Sequence, residues 1–144
     1  MPEERLTLKE MCARFGVTPR TLRHYEYIEL LAPEREGRTR YYGPREIVRM
    51  KFILRGRRFG FSLEEIRQWL NLYDIDPTTR LQKERLLEMS ERQLEELVSR
   101  RRQLEEAIRE LRELRNQTRR DLEAMKKAER AGNPAGEAGE RAGD

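Results

Sequence analysis

Cysteine and histidine are scarce in this sequence, whose 144 residues contain one of each, Cys12 and His24. A lone cysteine excludes a disulfide within the chain and leaves no thiolate cluster for zinc, copper, mercury or an iron–sulfur centre. The sequence also lacks a glycine-rich phosphate loop and any Cys/His metal-ligand spacing. We therefore expect no metal, no cofactor and no enzymatic activity, and we interpret Cys12 as a small core residue.

Long apolar runs are missing as well, since 36% of the residues are hydrophobic and 40% are charged. No run approaches the roughly 20 apolar residues of a membrane span. The first ten residues are charged and lack the apolar stretch of a signal peptide. These features predict a cytoplasmic protein with no membrane partner.

The positive charge is unevenly distributed along the chain. Residues 1–72 contain 15 Lys/Arg against 10 Asp/Glu, whereas residues 73–144 contain 16 against 17. Within the first half, residues 38–58 hold eight Arg or Lys and a single acid, Glu46. Such a basic region is either a solvated surface or the binding surface for a polyanion such as nucleic acid.

Two short helices separated by a tight turn are predicted near the start of the chain. Thr7 and Glu10 fit a capping box for the first helix, which we expect to end at Phe15. Gly16 suits the left-handed C-cap, while Thr18 can cap a second helix with Pro19 at its first position. A glycine-containing connection of three residues is typical of a helix-turn-helix, although generic helical hairpins share the pattern.

The second helix is predicted to be basic on one face. Helical spacing places Arg20, Arg23, His24 and Tyr27 together, with Leu22 and Tyr25 pointing away from them. A helix anchored on one side and basic on the other suits the groove of a duplex, so we interpret it as a recognition helix.

The next segment reads as a β-hairpin that forms a wing. Glu36-Gly37 supplies the turn, and the alternating residues 38–42 form the returning strand. Arg38 and Arg40 share one face, where they could meet phosphates or a minor groove. Tyr42 ends the strand next to the third helix.

Two further helices are predicted before residue 74. The third opens at Pro44, with an apolar set of Ile47, Met50 and Leu54 flanked by Val48 and Phe52, and its arginines fill the remaining surface. The fourth starts with a Ser62–Glu65 capping box and presents Trp69 and Tyr73 on its apolar face. For Trp69 we leave open a core anchor, a subunit interface and a ligand pocket.

From about Pro77 to Lys127 the sequence contains no glycine or further proline, and its apolar residues repeat every seven positions. This pattern predicts one long dimerisation helix in a coiled coil. The residues expected to form its seam are Leu87, Leu94, Leu97, Leu104, Ile108, Leu111 and Leu122. Arg101 and Arg115 interrupt the seam and would face their own copies in a parallel homodimer, so we favour an antiparallel one. Residues 131–144, which are rich in glycine and alanine and include one proline and four charged residues, predict a disordered tail.

Taken in order, these motifs resemble those of the MerR family of bacterial transcription regulators. The recognition segment VTPRTLRHYE matches the family's V-S-x-R-T-L-R-Y-Y-E except chiefly at His24, and RYY at residues 40–42 matches its wing. Residues 60–66, GFSLEEI, match its G-F-S-L-x-E-I signature, with Phe59 in place of the usual leucine. The resemblance covers roughly residues 5–72.

This resemblance implies a mainly α-helical fold: residues 1–73 as a winged helix-turn-helix DNA-binding domain with a small β-hairpin, residues 74–130 as an antiparallel coiled-coil dimerisation helix, and residues 131–144 as the tail. It also implies a homodimer that reads a pseudo-palindromic promoter and distorts the spacer between the −35 and −10 elements for RNA polymerase. Such a protein would work at the nucleoid. The DNA-binding residues expected by position and pattern are Thr18, Arg20, Thr21, Arg23, His24, Tyr25, Arg38, Arg40 and Tyr42.

The effector is not specified by these motifs. Residues 53–66 and 70–74 are similar to those of the family subgroup that controls branched-chain amino acid and acyl-CoA breakdown. We expect any effector near Trp69, Tyr73 and the coil of the partner subunit, where the two subunits should meet. Two other functions remain open at this point: an architectural DNA-binding protein using the same head, and a coiled-coil scaffold without a nucleic-acid role.

Overall fold

The structure, a computed structural model, describes residues 4–132 of the chain. Within these residues it contains five α-helices and three short strands, which confirms the predicted mainly helical fold. In chain order they are β1 (Leu6–Thr7), α1 (Leu8–Phe15), α2 (Pro19–Tyr27), β2 (Glu34–Glu36), β3 (Thr39–Tyr42), α3 (Pro44–Phe59), α4 (Leu63–Ile75) and α5 (Arg80–Gly132). The predicted tail lies outside the described residues, apart from Ala131 and Gly132, which end α5.

The caps of α1 and α2 form as their sequence predicts. The Thr7 hydroxyl accepts from the amide of Glu10, whose carboxylate accepts in return from the Thr7 amide at 2.9 Å. Gly16 closes α1 at φ 65°, and the Thr18 hydroxyl accepts from the amide of Thr21 at 3.1 Å. The connection of three residues therefore orients α2 across α1 as a helix-turn-helix.

The wing, residues 34–42, gains a third strand that the sequence did not predict. β3 pairs with β2 on one side and with β1 on the other, both antiparallel, with Leu6 opposite Tyr42. Two residues are too few to show a strand period, and Thr7 already serves as the cap of α1. The sheet nevertheless ties the wing to the start of α1.

The packing of α3 corrects the predicted apolar face. Ile47 and Met50 are buried as expected, but Ile53 completes the buried row, whereas Val48 and Phe52 are exposed. The cause is the contact with α4 near Gly56, where an added Cβ would come within 2.8 Å of Ile66. Glycine therefore lets the two helices approach closely and sets which face of α3 is covered.

The chain divides into two compact units between Leu94 and Glu95. The first contains α1 to α4, the sheet and the start of α5, and its core is formed by Leu6, Met11, Leu22, Tyr25, Leu30, Leu31, Tyr42, Ile47, Met50, Ile53, Phe61, Ile66, Leu70 and Met89. α5 begins at Arg80, three residues later than predicted, because the Asp76 carboxylate accepts from the amides of Thr78 and Leu81 and holds the preceding turn.

The first turns of α5 pack onto their own head. Met89 is fully buried, Gln82 exchanges hydrogen bonds with Trp69, and Gln93 donates to the Phe59 carbonyl at 2.8 Å. The predicted seam residues Leu87 and Leu94 are exposed. One face of the first turns of α5 therefore packs against the first unit, and the other face is exposed.

The second unit, described by itself from Glu95 to Gly132, is a stretch of helix without a buried residue. Its exposed large apolar side chains are Leu97, Leu104, Ile108, Leu111, Leu114, Leu122 and Met125. Leaving so many leucines in water is unfavourable for an isolated helix, at about 25 cal/mol per Å² of apolar surface.

Candidate nucleic-acid interface

The outward face of α2 is basic. Arg20, Arg23 and His24 are exposed and form no salt bridge with any residue from 4 to 132. Leu22 is buried beneath them and anchors the helix in the core. Guanidinium groups held at the surface without a protein partner are available for phosphates or base edges.

A shallow cavity of about 410 Å³ opens beside this face. It is lined by Arg20, Thr21, His24, Tyr25, Arg57 and Leu63. None of these residues is acidic, so the cavity favours an anion. Tyr25 reaches it from a largely buried position, with 7% of its surface exposed.

Arg57 is a candidate that the sequence reasoning did not single out. Its guanidinium donates to the Phe61 carbonyl at 3.3 Å, which holds it at the end of α3 beside Arg20. The run of arginines at residues 55–58 was visible in the sequence, but only the packing of α3 shows which of them meets the recognition helix.

Thr18 and Thr21 have a local role at the start of α2. Their hydroxyls lie 3.0 Å apart, and Thr18 also caps the helix. Thr21 is partly exposed and lines the basic cavity, while Thr18 is exposed at the helix start. Both lie at the edge of the basic face rather than at its centre.

The wing is held to α2 by one carboxylate. Glu26 accepts from Arg35 at 2.7 Å and from Nε of Arg40 at 2.9 Å. Arg40, predicted to face DNA, is therefore half-buried and paired, whereas Arg38 at the tip of the wing is exposed and makes no salt bridge among the described residues. Because Arg35 and Arg40 of the wing both donate to the carboxylate of Glu26 on α2, this carboxylate fixes the wing relative to the helix.

The Glu26 contact predicts a pH-dependent part of the stability. Burial acts to raise the pKa of the Glu26 carboxyl, but hydrogen bonds from Arg35 and Arg40 together hold it below the usual range. A lowered folded-state pKa stabilises the fold above the unfolded value of about 4.3, and this stabilisation is lost as the pH falls through the folded pKa. We expect Glu26→Gln to flatten the dependence of the free energy of unfolding on pH between about 5 and 3.

Urea unfolding of the parent and the variant across this range measures the effect. Glu84→Gln is the matched control, because Glu84 is exposed on α5 and pairs with Arg80 in the same helix. An unchanged pH slope in Glu26→Gln would contradict the assignment.

Tyr42 corrects the predicted interface. It was expected to contact the DNA backbone, but its side chain is fully buried in the core, and its hydroxyl has no hydrogen-bond partner within residues 4–132. Burial is the main cause that raises the pKa of this hydroxyl. Alternation along β3 and the added strand β1 place Tyr42 on the inner face, so its role is packing.

We therefore expect Tyr42→Phe to bind DNA within twofold of the parent and to change the free energy of unfolding by less than about 1 kcal/mol, since no protein hydrogen bond is lost. Arg38→Ala, on the same wing but exposed, should lower DNA affinity several-fold. Fluorescence anisotropy with labelled duplex and urea unfolding measure both effects. A tenfold loss of DNA affinity in Tyr42→Phe would contradict the packing role and indicate that the Tyr42 hydroxyl contacts DNA.

The segment that follows the recognition helix is anchored by two buried charged residues that the sequence reasoning placed on the surface or left aside. Arg49 donates from Nε to the Leu30 carbonyl at 2.8 Å, and the Glu46 carboxylate accepts from the Ala32 amide at 3.0 Å. Burial lowers the pKa of the Arg49 guanidinium. Both side chains satisfy backbone groups where the chain leaves α2, which positions the recognition helix from behind.

The predicted effector residues separate in the structure. Trp69 lines a cavity between α3, α4 and the start of α5, whereas Tyr73 is exposed and does not line it.

Within residues 4–132 there is no group of three His, Cys, Asp or Glu side chains able to hold a metal ion. Over the same residues, none of the helices is both long enough and apolar enough to span a bilayer.

Two family models match this chain. The model described as MerR HTH family regulatory protein matches residues 6–72, and that described as MerR, DNA binding matches residues 47–114. The HTH-type transcriptional regulator HmrR of Rhizobium leguminosarum bv. viciae is 40% identical over 70 residues, which cover 48% of this chain and 54% of that protein. The chain spans about half the length of the curated relatives it matches.

Two solved structures are similar to this chain in fold. A putative MerR family transcriptional regulator from Listeria monocytogenes is similar with a TM-score of 0.65 and 26% identity, over 88% of this chain and 96% of that one. HiNmlR, a MerR family regulator lacking the sensor domain and bound to promoter DNA, shares the fold with a TM-score of 0.54 and 21% identity, over 90% and 92% of the two chains. The two family models overlap and run without a gap from β1 into α5, and on this evidence the chain belongs to the MerR family of helix-turn-helix regulatory proteins.

Proposed function

We propose that this protein is a sequence-specific transcription regulator that binds promoter DNA through α2 and the wing. The observation that carries the proposal is the basic face of α2, where Arg20 and Arg23 stand exposed and without a salt bridge among the described residues. Thr21, His24 and Arg57 extend this surface, and Arg38 extends it along the wing. Phosphate contacts would fix the register, and base-edge contacts from α2 would supply specificity.

The regulator is proposed to act as a homodimer on a pseudo-palindromic promoter, where it distorts the spacer between the −35 and −10 elements for RNA polymerase. Family membership supports this mode of action. The exposed leucines of α5 support the dimer, because a second copy would cover them. Acting on promoters, the protein would work in the cytoplasm at the nucleoid.

DNase footprinting and gel shifts on the DNA beside its own gene test the proposal. We expect one short footprint that survives a large excess of competitor DNA, since specific sites are commonly 10³–10⁷ times tighter than bulk DNA. Binding that disappears in proportion to the competitor would instead indicate an architectural protein. Both measurements require a stated salt concentration, because phosphate contacts make the affinity salt-dependent.

The proposed dimer is antiparallel, because a parallel pair would set Arg101 and Arg115 against their own copies. Spin labels on single cysteines in a Cys12→Ser background test this direction. In a parallel pair the distance between like labels stays constant along the helix, whereas in an antiparallel pair it changes by about 3 Å per residue. Labels at Gln103→Cys, Gln117→Cys and Glu123→Cys measure this change, and a constant distance would refute the antiparallel arrangement.

A further inference from the structure

An apolar cavity of about 490 Å³ lies within the first unit, between α3, α4 and the first turns of α5. Its walls contain three of the four phenylalanines and the only tryptophan of the chain: Phe52, Phe59, Phe61 and Trp69. Phe52 and Phe59 remain exposed, and the Phe52 ring meets Trp69 edge-on at 5.2 Å. The volume falls within the range of about 300–1,000 Å³ typical of small-molecule sites.

The charge of the lining selects the ligand class. Arg55 and Lys83 line the cavity, and no acidic residue does. Neither cation makes a salt bridge with any residue between 4 and 132. The indole N–H of Trp69 is already used, since it donates to the Gln82 carbonyl at 2.8 Å. The cavity therefore offers apolar aromatic walls and two positive charges that form no salt bridge in the described part of the chain.

We propose that this cavity binds a small amphipathic anion, whose apolar body packs against the aromatic walls and whose carboxylate or similar head group pairs with Arg55 and Lys83. The ligand would be the effector of the regulator, so the proposal rests on the proposed function. The aromatic cavity and the basic surface of α2 are connected through α3, because Arg55 and Arg57 belong to the same turn of this helix and Arg57 lines the basic cavity beside α2. Occupancy would fix the end of α3 and with it the position of Arg57.

Titration of the full chain with decanoate, followed by Trp69 fluorescence, tests the site directly. Decyltrimethylammonium has the same apolar chain with a cationic head and serves as the control ligand. We expect saturable binding of decanoate and at least tenfold weaker binding of the cation. The double variant Arg55→Gln, Lys83→Gln should bind decanoate at least tenfold more weakly, whereas Lys51→Gln, Arg102→Gln removes the same charge elsewhere and should bind normally.

Several results would overturn the proposal. One is equal binding of both ligands, and another is unchanged decanoate binding in the Arg55/Lys83 variant. A Trp69 signal that follows protein concentration and ignores decanoate would mean that a second copy of the chain fills the cavity. Circular dichroism confirms that each variant is folded. Footprinting without ligand is a separate measurement, so loss of the effector site and loss of the regulator function are distinguishable.

Discussion

Replacing Arg20 and Arg23 together by alanine is expected to lower the affinity for operator DNA by at least about 100-fold, because each contact with a base edge or phosphate is commonly worth 1–3 kcal/mol and a dimer loses each contact twice. Both side chains are exposed on α2 and form no salt bridge in the described part of the chain. Their removal therefore should not destabilise the head. Anisotropy titrations on operator and scrambled duplexes, repeated at several salt concentrations, measure the loss.

The salt series separates the two roles. A phosphate contact weakens binding to all sequences and reduces the slope of log K against log salt by about one, whereas a base contact reduces specificity. The matched control is Arg102→Ala, Arg109→Ala, which removes the same charge from exposed positions of α5 outside the heptad seam. If the control lost as much affinity as the Arg20/Arg23 variant, net charge rather than α2 would explain binding.

Introducing glutamate at both Leu104 and Leu111 is expected to abolish the proposed dimer at micromolar concentrations, and operator binding with it. Both leucines are exposed in the single chain and occupy seam positions of the predicted coiled coil. Burying four unpaired carboxylates per dimer should raise its dissociation constant by at least about 1,000-fold. Sedimentation velocity measures the assembly, and a gel shift on the operator measures the consequence.

The same charge placed on another face provides the control. Gln103→Glu, Gln117→Glu alters exposed positions outside the seam and should leave both the dimer and the DNA complex intact. A Leu104/Leu111 variant that still sediments as a dimer would exclude this seam. A monomeric variant that kept the full operator footprint would show that the two heads bind independently.

Glu26 connects the two halves of the proposed interface. It lies on α2 and accepts from Arg35 and Arg40 of the wing, so these two hydrogen bonds hold the wing against the helix proposed to enter the groove. Loops that bind nucleic acid gain affinity from such preorganisation, because less conformational entropy is lost on binding. Glu26, although acidic and surrounded by basic residues, is therefore interpreted as a residue that positions the wing.

The sequence by itself determined the features that depend on neighbouring residues. The capping boxes at Thr7 and Ser62 and the left-handed turn at Gly16 form as predicted, and the hairpin turn forms at residues 37–38, one residue later than the predicted Glu36-Gly37. Each depends on hydrogen bonds or backbone conformations within a few positions of the chain, so the local residues suffice to specify it. The family motifs lie on these same local features, which is why the fold class could be read from the sequence.

Only the tertiary structure decided which side chains those elements cover. Tyr42 is buried because β1 pairs with its strand, Arg40 is paired because Glu26 faces it from α2, and Met89 enters the core because the start of α5 packs on its own head. All three depend on contacts between residues far apart in the chain. Periodicity gives the face of an element but not the neighbour that it meets, and burial follows from that neighbour.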